Sequence, residues 1–123
     1  MFMDHSRLNL ISQTNQWRKL WQEHVMWIRS FIISTASNLG DLVPVTGRLM
    51  QNPGDMADVL RLYYSAQTAD TFQKLFTEHL SIAGELVNAA KAGDTAKAAT
   101  LEQKWYENAD EIAFFSENQP VLE

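Results

Sequence analysis

Three side chains able to hydrogen-bond or bind a metal, His24, His79 and Asn108, stand where the pattern of this sequence asks for leucine. Core-facing positions recur at alternating three- and four-residue steps through Trp17, Leu20, His24, Trp27 and Phe31. The same rhythm runs through Phe72, Leu75, His79, Ile82 and Leu86, and again through Leu101, Trp105, Asn108, Ile112 and Phe115. Each stripe marks a helix face that must be buried, and each is broken once by a polar group. Neutral imidazoles and amides both donate and accept, so these groups, with Asp55 as a further acceptor and Trp105 beside Asn108, can close a polar layer. Two histidines facing across a bundle also suit a divalent metal, with Asp55 or Glu111 to complete the ligand set. The Glu-x-x-His spacing of di-iron bundles is missing. Glu23 and Glu78 directly precede the histidines and point about 100° away from them.

The elements that must position these groups are all helical. The periodicity predicts helices over about residues 7–36, 44–64, 68–92 and 95–115, with 116–123 as a tail. The second helix is expected to break at Asn52-Pro53-Gly54 and restart there, with Asn52 as N-cap, Pro53 as first helical residue and Asp55 near the positive end. Asn38-Leu39-Gly40-Asp41 reads as a turn. Gly93 ends the third helix in a left-handed conformation and Asp94 caps the fourth. Short connections make successive helices neighbours, so the expected fold is a single domain over 1–123, an all-α, antiparallel, up-down four-helix bundle. In that arrangement His24, His79 and Asn108 fall at one height, about 20 Å from the shared bundle end at 1.5 Å per residue, and the same height on the second helix lies near Asp55. A second apolar stripe on the first helix, Trp21, Val25, Ile28 and Ile32, implies a second neighbour, in the monomer or in a partner chain. The segment Leu20-Trp21-Gln22-Glu23-His24 is echoed by Leu75-Phe76-Thr77-Glu78-His79, which fits either a duplicated hairpin or chance.

Composition narrows the functions. At 46% hydrophobic and 20% charged residues the chain is globular, and its 123 residues support one core. A net charge of −5 with scattered basic residues argues against nucleic-acid binding. The absence of cysteine removes thiol nucleophiles, thiolate metal sites and disulfides. The most apolar run, Val25 to Ile33, is interrupted by Arg29 and Ser30 and is far short of a membrane span. No leader pattern is visible, so the expected location is the cytoplasm. Ser30, Ser34 and Thr35 lack the His and acid spacing of a triad, and no glycine-rich phosphate loop exists. Asp110 and Glu111 diverge as sequence neighbours on a helix, and His5 lies outside every stripe.

The chain resembles a family of small uncharacterised bacterial proteins, mainly from Firmicutes. The matching stretches are Glu23-His24-Val25-Met26-Trp27-Ile28-Arg29, Arg48 to Asp55, Glu78-His79-Leu80-Ser81-Ile82-Ala83, Ala89 to Gly93 and Trp105 to Ala113. They cover most of Leu20 to Phe115, in order. The resemblance implies no activity. Members that carry the label acetylglutamate kinase find no support here, because the chain is short, helical and without a phosphate-binding loop. It departs from the pattern at Asn118-Gln119-Pro120-Val121.

Three functional readings follow. The first is a structural or interaction module, with a homodimer formed through the extra apolar arc of the first helix. The second is a metal- or small-ligand-binding bundle using His24 and His79, and the third is an enzyme for which no nucleophile or acid pair stands out.

Overall fold

The computed structural model describes the backbone of residues 5–119 and the side chains of residues 10–119. Four helices, α1 (His5–Ala36), α2 (Leu42–Leu60), α3 (Ala66–Ala92) and α4 (Thr95–Glu117), follow one another with no strand among the described residues. The protein is an all-α four-helix bundle. None of these helices is long and apolar enough to cross a membrane. The side chain of His5 and the end of the tail, residues 120–123, lie outside the described residues.

The turns form where short polar residues and glycine permit. Asn38 takes a left-handed φ of 52°, and Ser34 Oγ donates to Asp41 Oδ1 at 2.7 Å, tying the end of α1 to the start of α2. Ser65 and Asp94 cap α3 and α4 by accepting from the backbone N–H of Thr68 and Lys97. Gly93 adopts φ 73°, a conformation that costs a residue with a Cβ, and so makes the tight α3–α4 turn.

One expectation is corrected. The second helix does not break at Asn52-Pro53-Gly54: α2 is one element, with Pro53 inside it. A proline removes the N–H that would have met the Leu49 carbonyl, and its ring crowds that carbonyl. The buried run Leu49, Asn52, Pro53, Met56 and Ala57 holds the helix together through that gap. The other bounds differ by two residues or fewer, with α4 reaching Glu117, except that α2 ends at Leu60, four residues before the expected 64.

Between α1 and α2 and the residue that precedes it, Ser34 meets Asp41, Glu23 meets Arg48 and His24 meets Asn52. Two buried clusters form the core. Leu20, Met56, Phe72 and Phe76 make one, with Trp17, Ile112 and Phe115 against it; Phe31, Val45, Leu49 and Leu80 make the other. The ring of helices is not closed. α2 packs on α1 and α3, and α3 on α4, but among the described residues α1 and α4 do not pack together. At one end of this open seam lies a cavity of about 500 Å³, walled by Trp17 and Arg18 of α1, Tyr63 and Tyr64 beyond α2, Phe72 of α3 and Phe115 of α4.

Candidate functional site

Two histidine–asparagine units, built alike, occupy the middle of the bundle. His24 Nδ1 lies 3.0 Å from Asn52 Oδ1, and Asn52 Nδ2 donates to the Leu20 carbonyl at 3.2 Å. His79 Nδ1 lies 2.9 Å from Asn108 Oδ1, and Asn108 Nδ2 donates to the Leu75 carbonyl at 3.2 Å. In both, the asparagine clasps the neighbouring helix across one turn, from the histidine ring to the carbonyl four residues earlier. The partners are 28 and 29 residues apart, which matches the echo between Leu20–His24 and Leu75–His79.

The pairing decides the tautomer. A carbonyl can only accept, so the side-chain NH₂ of each asparagine must face it, and Oδ1 must face the ring. Each Nδ1 therefore carries the proton and donates, leaving Nε2 with its lone pair. Burial lowers the pKa of His24; the bond to Asn52 works the other way, and the nearby His79 lowers it further. Burial likewise lowers His79 against the opposing bond to Asn108. Both shifts favour the neutral imidazole.

Rings rather than hydrogen bonds join the two units. Phe76 lies near both, its centroid 4.9 Å from His24 and 6.1 Å from His79, with Trp21 edge-on to His24 at 5.3 Å and to Phe76 at 5.8 Å, and Trp105 stacked on His79 at 4.8 Å. Trp105 enters the group through its face, and its buried Nε1–H finds no acceptor among the described residues. Asp55 stands one turn beyond Asn52 and pairs with Arg48 at 3.5 Å. Arg48 also donates to Glu23 at 3.2 Å and lies over the Trp27 ring at 5.6 Å. Glu111 is exposed on α4. His24, His79, Asn108 and Trp105 are thus brought together, while Asp55 and Glu111 are turned to other surroundings. Among the described residues no group of three His, Asp or Glu side chains is placed to hold a metal ion.

Asn52 is the member that sequence reasoning used differently, as an N-cap. The signal for it was present. Asn108 follows the second Glu-His by nearly the interval at which Asn52 follows the first, and a duplicated hairpin would place both on the same face. The second hairpin keeps the His–Asn unit but not the charges: Lys104 stands where Arg48 does and makes no ion pair among the described residues.

Comparison with protein-family models, with curated proteins and with solved structures finds no match to this chain.

The chemistry open to the site is limited. Anchored imidazoles beside aromatic rings fix the pairing of helices; among the described residues the side-chain hydrogen-bond partners of the two rings are Asn52 and Asn108. The exposed chemistry lies elsewhere, on the outer side of α1. Val25 is 63% exposed, Met26 51%, Ile33 46% and Ile32 44%, with Trp21 at one end of the same face.

Proposed function

We propose that this chain is a helical interaction module that self-associates through the outer face of α1, its two His–Asn units serving to hold each hairpin in register. The observation that carries the reading is the run of large apolar side chains along α1 that no helix of the bundle covers. A face of this kind, contiguous rather than scattered, marks an interaction site on a globular protein. Membership of the bacterial family whose motifs contain Glu23, His24, Asn52, Asp55, His79 and Asn108 belongs to the same proposal, as does residence in the cytoplasm. Sedimentation velocity from about 1 to 500 µM tests the reading. The wild type shifts to a larger species with concentration, and Val25→Glu, which places a charge on the face without touching the core, stays monomeric. A wild type that remains a monomer throughout overturns it.

A second reading, a metal- or small-ligand-binding bundle, draws on one specific observation. An Nδ1–H anchored to an amide oxygen with Nε2 left unprotonated is the arrangement by which proteins orient a metal-binding histidine. His24 and His79 would supply two imidazoles, and a small ligand or water the remainder. Its test is a rise in Tm with Ni²⁺ or Zn²⁺ that His24→Leu abolishes.

A further inference from the structure

The two hairpins are built alike, but their surroundings differ. In α3, Phe76 and Leu80 are 4% and 3% exposed; their counterparts in α1, Trp21 and Val25, are 40% and 63% exposed. In α2, Ala57 is fully buried, whereas its counterpart in α4, Ala113, is exposed. The difference has one origin. α2 packs against α3, and the equivalent contact, α4 against an α1, is missing among the described residues. The molecule therefore carries both halves of a second α2–α3-like interface, unjoined.

We propose that a second copy of this chain supplies the missing contact, the α4 of each copy lying on the α1 of the other in the manner in which α2 lies on α3. This rests on the reading of α1 as an interface and adds its occupant and register. Charge supports it. Among the described side chains, α1 carries Arg18, Lys19 and Arg29 against the single acid Glu23, while α4 carries Glu102, Glu107, Asp110, Glu111 and Glu117 against Lys97 and Lys104. The register places opposite charges together. Gly54 of α2 approaches Gln73 of α3, where an added Cβ would stand 3.4 Å from Nε2. The counterparts of these two residues are Asp110 and Arg18, both exposed. The same register sets Ile112 against Trp21 and Trp105 beside Val25, as Met56 clusters with Phe76 and Leu49 with Leu80. Closure within one chain is disfavoured, because His79–Asn108 and the Gly93 turn hold α4 on α3. Two copies meeting seam to seam form the contact twice, as a twofold axis requires.

The absence of cysteine makes a direct test simple. Full-length Arg18→Cys and Asp110→Cys chains are mixed and oxidised; both positions are exposed, so folding is preserved. A disulfide between the two different chains is expected, and little between like chains. In the Arg18→Cys/Asp110→Cys chain the product is a covalent dimer. A disulfide within one chain, or no cross-link, overturns the proposal. If cross-linking fails while the wild type still associates through Val25, only the register and occupant fall and the α1 interface stands. Charge exchange gives an independent readout. Arg18→Asp and Asp110→Arg each raise the dimer Kd by about tenfold or more, and the combined variant restores it to within about threefold. Equal Kd values for the single variants and the wild type would also overturn the proposal.

Discussion

Replacing Asn52 with leucine isolates the energetic role of the His–Asn units. Asn52 is fully buried, and leucine shares its branching at Cγ but is larger, so the substitution leaves no cavity, and any overpacking is common to the single and paired variants and cancels in their comparison. What it removes is the acceptor 3.0 Å from His24 Nδ1, stranding a proton on a ring that is only 7% exposed. A stranded buried donor costs about 1–3 kcal/mol. The Leu20 carbonyl loses the Asn52 amide but keeps its place in the α1 ladder, so it adds little. At about 4 °C per kcal/mol for a domain of this size, the expected fall in Tm is about 4–12 °C. His24→Leu strands Oδ1 of Asn52 in the same way. The paired replacement His24→Leu/Asn52→Leu leaves neither group unpaired and should cost about 1–3 kcal/mol less than the sum of the single changes. Chemical denaturation of the four proteins yields this coupling. The same cycle at His79 and Asn108 gives a smaller value, because His79 is only half-buried and water can substitute. A cross-cycle between Asn52 and Asn108 should be additive within about 0.5 kcal/mol, since each unit closes on its own helix pair. Additive changes within a unit, or strong coupling between Asn52 and Asn108, would refute the reasoning.

Acid should destabilise the fold through the same histidines. Both folded-state values lie below the ordinary 6.5, so the unfolded chain takes up protons first as pH falls. Stability is full above about pH 6.5 and declines as the pH drops from there through the folded-state values. The urea midpoint should fall between pH 7.5 and 5.5, and fall less in the paired leucine variants; an unchanged midpoint in the wild type would contradict this. At the α3–α4 turn, Asp94→Ala should cost about 1 kcal/mol by removing the acceptor for Lys97 N–H, and Gly93→Ala a similar amount at φ 73°, both read from thermal melts. Met56 is fully buried in the cluster with Leu20, Phe72 and Phe76, so Met56→Ala should cost about 2–5 kcal/mol; a loss below 1 kcal/mol would show that this cluster is not the packed core.

The helices were legible because each follows one rhythm of burial, and because Gly93 and Asp94 carry unambiguous local chemistry. The break assigned to Pro53 was not, since the local rule against proline in a helix is weaker than the burial of Leu49, Met56 and Ala57 around it. At the site, the intrusion of His24, His79 and Asn108 into apolar stripes marked them as buried and partnered. Equal height suggested one layer, but height does not fix which side chain reaches which. Asn52, hidden by its fitness as a cap, took the place at His24 that Asp55 was expected to share, because Arg48 draws Asp55 toward Glu23 and the surface. The second apolar stripe of α1 was visible in the sequence as a surplus. Only the arrangement of the helices shows which of its residues remain uncovered.

Hydroxyl-radical footprinting of Met26 as a function of protein concentration tests the central claim most directly. Met26 is 51% exposed on the proposed interface, and Met56, fully buried, gives a baseline in the same molecule. If α1 is the self-association face, oxidation of Met26 falls as concentration rises through the dimerisation range, while Met56 stays protected throughout. Oxidation of Met26 that is the same in dilute and concentrated protein would contradict the account.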